Sequence, residues 1–351
     1  MAEWTYMDTL NVPMYPCVRR IIRHGNGRME LDGILEKETW ENAPWTDAFV
    51  DIEGVARKPN PLLTTRVKMM WDDDYLYVGA VLQEPRVWGT LTEKNSIMYH
   101  ENDFEIFIDP DGSHHNYYEF EINCLNTIWE LVLHRPYKDG HSLENPYNLN
   151  DIHSAVHIIG IPNDPSVQCK QWSVEVAIPL KELVQFDERR SRLVQAGDSW
   201  RMNFSRVHYD LNIEKNNETG KDHYVKVPNQ REYNYVWAPT GIIDIHRPEK
   251  WAFVYFLDLP TVDSLQWQQT QLTLQRELAR ENILTTAYYK QREYFDVHGV
   301  YAASLNSLYG ENTPNGLTLE TTENGKIYQF VYIDEAGKKH SINHESKYLK
   351  P

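Results

Sequence analysis

The sequence predicts an all-β fold, an antiparallel β-sandwich or jelly roll, followed by a long helix and a small β meander. Three observations predict it. At least eight period-2 runs are separated by turn residues, no long helical pattern interrupts them, and helical spacing takes over after Leu259. The 351 residues are 41% hydrophobic, which suits one large β domain with an appendage, and we divide them into 1–259 and 260–351.

The clearest element is a hairpin from Asn102 to Asn126. Phe104, Ile106 and Ile108 alternate with Glu105, Phe107 and Asp109. Tyr118, Phe120 and Ile122 alternate with Glu119, Glu121 and Asn123. Successive side chains on a strand point to opposite faces, so the apolar sets share a core and the acids and Asn123 share the other face. Asp109 to Gly112 is the turn.

Before it, Met1 to Asn26 is mixed, with Pro13 and Pro16 arguing against a helix. Met29 opens a short strand with a turn at Asp32-Gly33, then a helical turn carries Trp40. Residues 64–85 read as a second hairpin, with Val67, Met69 and Trp71 facing Leu76, Val78, Ala80 and Leu82 into the core. After it come a strand at 127–137, a polar loop from Lys138 to Asn150 and strands at 154–161 and 171–180. In the last of these Trp172, Val174, Val176 and Ile178 share a face. Lys181 to Phe186 is a helical turn, 198–210 a strand, and Asn212 to Asp222 a polar, mobile loop. Two aromatic runs flank Pro239 and Gly241 and close the domain.

Residues 260–299 lack proline after Pro260 and place Leu272, Leu278, Ile283, Leu284, Ala287 and Tyr288 at helical spacing, so one helix ends near Gly299. We expect it to pack on the sandwich or on a partner chain. The meander after it turns at Asn324-Gly325 and at Asp334 to Gly337.

Several classes are disfavoured. A net charge of −16 with no basic stripe argues against nucleic acid. No run of 18 apolar residues is long enough for a transmembrane helix, and the first 30 residues lack a secretory core. Cys17, Cys124 and Cys169 have no metal-type spacing, and Cys124 falls in core phase. Eleven Trp and 22 Tyr exceed what a core of this size needs, which points to an aromatic binding surface.

Seven motifs occur in order between residues 15 and 257: LDG at Leu31, WDDDYLYVGA at Trp71, NDFEIFIDPDG at Asn102, YYEFEIN at Tyr117, WSVEVAIPL at Trp172, WRMNFSRV at Trp200 and HRPEKW at His246. The series resembles the family 9 carbohydrate-binding modules, above all their stand-alone bacterial relatives. The resemblance implies an antiparallel β-sandwich of jelly-roll type, non-catalytic recognition of a mono- or oligosaccharide, bound Ca²⁺ in some members and an extracytoplasmic location. Two tryptophans in that family stack on a sugar. Their positions fall on Tyr99 and on or beside His246, with Trp237 the nearest large ring. The hydroxyl-binding carboxylate matches Glu105, and the family's arginine falls on Glu121. With Asn123, Asn203 and Arg206 these residues make a polar, aromatic-edged face, on which stacking needs an exposed, immobilised ring; Trp88 is a further candidate.

Two other chemistries fit the same residues. Glu105, Glu119 and Glu121 have spacings open to a glycosidase pair, and Arg206 is placed to neutralise them. Asp109 and Asp111 suit either Ca²⁺ or a plain turn, while His114 and His115 read as solvated loop histidines. A third reading is an assembly protein whose sandwich has lost its ligand.

Overall fold

The computed structural model describes residues 12–21, 27–140, 144–188, 192–322 and 325–351. Its first strands are β1 (Met14–Arg19), β2 (Val50–Asp51), β3 (Thr65–Trp71), β4 (Tyr75–Gln83), β5 (Asp103–Asp109), β6 (Tyr117–Asn123) and β7 (Ile128–Leu133). There follow β8 (Glu144–Pro146), β9 (His153–Ile159), β10 (Gln171–Pro179), β11 (Ser199–His208), β12 (Leu211–Lys215), β13 (Asp222–Lys226), β14 (Tyr233–Val236) and β15 (Ala252–Phe256). A short helix α1 (Leu180–Leu183) follows β10, where Pro179 ends the ladder.

Hydrogen-bonded neighbours run β8-β7-β6-β5-β11-β15-β1-β3-β4-β10-β9, with β14 beside β11 and β2 beside β14. The path curls through β1, whose first residues pair with β15 and whose last two pair with β3. One core fills the space between the two halves. It takes Val67, Met69, Trp71, Val78, Trp172 and Val176 from one side and Phe104, Ile106, Phe120, Met202 and Phe204 from the other. The period-2 pattern is thus realised face for face.

Three expectations change. The sheet is not antiparallel throughout, because β1 runs parallel to both β15 and β3. No strand forms at Met29. The amides of Asp32 and Gly33 donate instead to buried Glu175 at 2.8 Å each, which also accepts the Trp40 indole N–H at 2.6 Å. Gly33 is required there: its φ is +79°, and a Cβ would sit 2.4 Å from the His157 nitrogen. The loop expected at 212–222 is a hairpin of β12 and β13, turned by Asn216, whose side chain accepts the amides of Glu218 and Thr219. Of the loop expected over 138–150, residues 141–143 lie outside the described residues.

Helix α2 (Ser264–His298) starts at Asp263, whose side chain caps the Gln266 amide, and stops at Gly299 in the left-handed region. A short helix α3 (Leu305–Tyr309) leads to β16 (Leu317–Thr321), β17 (Tyr328–Ile333), β18 (Lys339–Asn343) and β19 (Tyr348–Leu349), paired in sequence order. Asn324 of the expected turn lies outside the described residues.

This extension packs on the sheet. Leu274 and Leu278 meet Phe253, and a second apolar cluster joins Leu284, Ala287 and Tyr288 to Phe330 and Ile342. Buried Glu281 of α2 contacts His114 Nε2 at 2.9 Å and receives Arg201 at 3.4 Å. His114 and His115 are therefore buried, not solvated, because the extension closes over their turn: His114 Nδ1 faces the Ser346 carbonyl and His115 Nε2 that of Glu345.

Candidate functional site

Glu105 of β5 lies directly across from Glu121 of β6 and Ser205 of β11, so the acids share the outer face of the sheet. Asp103, in the same phase two residues earlier, joins them. Oxygen atoms from Asp103, Glu105 and Glu121 all lie within 4.8 Å of one another. Alternation alone carries the signal for Asp103, since it continues the polar phase of Glu105 past Phe104.

This face is closed, not an open platform. Asp103, Glu105 and Glu121 expose 0%, 5% and 2% of their surfaces. Farther along it, Phe107, Tyr117 and Leu131 pack beneath Trp251 and Ile245. Burial pushes the Glu105 carboxyl up to about 7. Asp103 and Glu121 are raised well above the carboxylate range, by burial first and then by the neighbouring acids. Asp103 Oδ1 accepts the Val207 amide at 3.2 Å, but Asp103 Oδ2 and Glu121 Oε2 accept no hydrogen bond.

The other expected residues separate. Asn123 is on this face and braces the following turn, accepting the amides of Leu125 and Thr127 at 3.0 Å. Asn203 clamps residue 238 through two 2.9 Å bonds with the Ala238 backbone. Arg206 points to the opposite, core side, in phase with Phe204. It donates to Glu84 at 2.7 Å and so cannot neutralise Glu105. Trp237 is a correction too: it is a core ring, 4% exposed, tilted against Phe204. Tyr99 is 48% exposed, with its carbonyl held by the Tyr209 hydroxyl at 2.9 Å. His246 is half-buried at the far end, 3.0 Å from the Tyr117 hydroxyl, and Trp88 is also half-buried.

Asp109 and Asp111 brace their own turn. Asp109 accepts the amides of Gly112 and His114, and Asp111 those of Ser113 and Glu188, so each of the four oxygens serves the backbone. The plain turn accounts for both residues.

Sequence reasoning missed an open cleft of about 860 Å³ across the outer ends of β3, β4 and β10, bordered by Glu36, Trp45, Arg66, Gln83, Gln168 and Gln171. Trp45 keeps 39% of its surface exposed while its backbone is held: it bridges Lys68, and Thr46 exchanges hydrogen bonds with Val67. The Lys68 ammonium lies 4.6 Å from the ring centroid. This is an exposed, immobilised indole beside amide and guanidinium donors. No period-2 or helical pattern includes Trp45, so only the tertiary fold reveals it.

Residues 31–222 match the profile described as carbohydrate family 9 binding domain-like. Endo-1,4-beta-xylanase A of Thermotoga maritima is 30% identical over 116 residues, 28% of this chain and 11% of that protein. The chain thus spans about a tenth of the length of the curated relatives it matches. Among solved structures, a candidate carbohydrate-binding protein from Bacteroides uniformis aligns over 70% of this chain and all of its own, at 12% identity and a TM-score of 0.50. A family 9 carbohydrate-binding module from Caldicellulosiruptor kristjanssonii, solved with cellotriose, covers 70% of this chain and 94% of its own, at 15% identity and a TM-score of 0.42. With more than half of its 351 residues on that profile, the chain belongs to the carbohydrate family 9 binding domain-like family.

Proposed function

We propose that the protein binds carbohydrate without cleaving it, outside the cytoplasm, on a jelly-roll sandwich of the family type. The observation that carries this is the family match along residues 31–222, which contains every residue of the Trp45 cleft. A sugar offers an apolar C–H face and a rim of hydroxyls. Trp45 suits the first, and Gln83, Gln168, Gln171 and Arg66 suit the second. Hydrolysis by the strand carboxylates has less support, because a glycosidase pair must flank a substrate and Glu105 and Glu121 are buried.

The test is calorimetry of the full chain with a panel of xylo- and cello-oligosaccharides. Trp45→Ala is expected to weaken binding roughly five- to thirtyfold, in line with the ~1–2 kcal/mol that a stacked ring supplies. Tyr99 is the one open ring of the family-implied set, so Tyr99→Ala is the comparison. If Tyr99→Ala abolishes binding and Trp45→Ala leaves it intact, the contact surface is the family-implied edge and the cleft reading is wrong. Release of reducing ends from the panel would overturn the non-catalytic reading.

A further inference from the structure

We propose that the Trp45 cleft continues across Leu63 and Pro85 into a second cleft at Tyr233 and Tyr235, so that the protein takes several linked sugars of an extended glycan chain. This inference rests on the Trp45 reading given above. The second cleft has a volume of about 610 Å³ and shares Leu63 and Pro85 with the first, of about 860 Å³. Each alone is the size of a small-molecule site, ~300–1,000 Å³. Joined, they exceed it, which suits a run of sugar units rather than one. Tyr233 and Tyr235 lie beyond residues 31–222, so the family match does not reach them.

The second cleft carries its own aromatic surface. Tyr233 and Tyr235 share a face of β14, opposite His208 and Arg206 of β11. The three rings of Tyr233, Tyr235 and His208 have centroids 5.8, 6.1 and 6.2 Å apart and planes within 33° of one another. Near-parallel rings at that spacing are offset, which leaves part of each face uncovered. Both tyrosines are only half-buried. They are also held: β14 pairs with β11 on one edge and with β2 on the other, and the Tyr233 hydroxyl donates to Asp210 at 3.1 Å.

Hydrogen-bonding groups face the same space. Among the described residues, the Tyr235 hydroxyl and the exposed Asn60 side-chain amide make no hydrogen bond, and both residues line the cleft. Asn60 sits on the facing wall between Pro59 and Pro61, whose rings stiffen the loop. That loop is tied at both ends. The Lys58 amide donates to the Gly54 carbonyl at 3.0 Å and the Arg57 guanidinium to that of Gly241 at 2.6 Å, while the Gln83 amide donates to the Thr64 carbonyl at 2.9 Å. A groove with both walls already ordered loses little entropy when a chain enters it.

The experiment is calorimetry of the full chain with xylo- and cello-oligosaccharides from disaccharide to hexasaccharide. The hexasaccharide is expected to bind roughly fivefold or more tighter than the disaccharide, the gain that one further ring contact supplies. Tyr233→Ala and Asn60→Ala should each bring that ratio towards one, whereas Trp45→Ala should weaken every length. Asn60 is exposed and without a hydrogen bond, so Asn60→Ala folds and keeps the test valid if Tyr233→Ala does not. Equal affinity at all lengths would overturn the joined groove and leave the Trp45 cleft standing. So would parent-like ratios in both Tyr233→Ala and Asn60→Ala while Trp45→Ala still loses affinity. A Trp45→Ala variant that binds every length as the parent does would overturn the cleft reading, and the joined groove with it, as would the absence of heat from any of these glycans.

Discussion

Replacing Glu249 by glutamine is expected to destabilise the protein by about 3–5 kcal/mol, the cost of breaking a buried ion pair. Glu249 is 1% exposed and takes the Lys138 ammonium on both oxygens at 2.9 Å. The Tyr289 hydroxyl of α2 donates to it, and Arg247 and Lys250 are buried beside it. Lys138 comes first among the groups that hold its carboxyl far below the usual range against the opposing effect of burial. Without that charge three cations share a dry pocket, and the join between the sheet and the extension loosens. The sign in pH follows: a carboxyl depressed in the folded state contributes stability above its unfolded value near 4.5 and loses it as pH falls. Urea unfolding of Glu249→Gln against the parent at pH 6 measures the loss. A double variant, Lys138→Met with Glu249→Leu, should recover only part of it, because the apolar pair removes its own desolvation cost but leaves Arg247 and Lys250 buried without the carboxylate. A loss under about 1 kcal/mol would mean that the pair is wetter than its burial states.

How far the sequence could be read depended on which physical rule governed each residue. Alternation is local, so the inward sets of β3, β4, β5, β6 and β10 were legible, as was the stop of α2 at Gly299. Alternation also held the answer for Arg206, in phase with Met202 and Phe204; an arginine in that phase was a sign of a buried pair across the core, here with Glu84. Partner choice is not local. Nothing in residues 14–19 shows that β1 runs parallel to two strands, and helical spacing in α2 does not say that Glu281 will meet His114. β12 and β13 look like a loop because only Leu211 and Tyr224 join an apolar cluster, too few to show an alternating pattern between the polar residues that the Asn216 turn and backbone bonds pair. Trp45 is visible only once Thr46 and Lys68 place it beside the ends of β4 and β10.

The acidic cluster should make the protein less stable as pH rises, opposite to the effect of Glu249. Glu105 titrates near 7 in the fold instead of 4.5, so between those values the folded chain holds more protons than the unfolded one. Stability is then fully present below about 4.5 and falls through pH 7, by about 3 kcal/mol for a shift of this size. Asp103 and Glu121 are raised as well and act in the same direction. Lys250 works against them at higher pH: burial lowers it to about 7, so the folded chain sheds that proton first and gains stability above pH 7. The comparison that isolates the cluster is therefore parent against Glu105→Gln in urea at pH 5, 6, 7 and 8, where Lys250 and the buried histidines are common to both and cancel. Glu105→Gln should match the parent within about 1 kcal/mol at pH 5 and exceed it by about 2–3 kcal/mol at pH 7 to 8. Equal slopes for the two proteins would show that Glu105 is ionised throughout the range, with its charge met by solvent rather than by a proton.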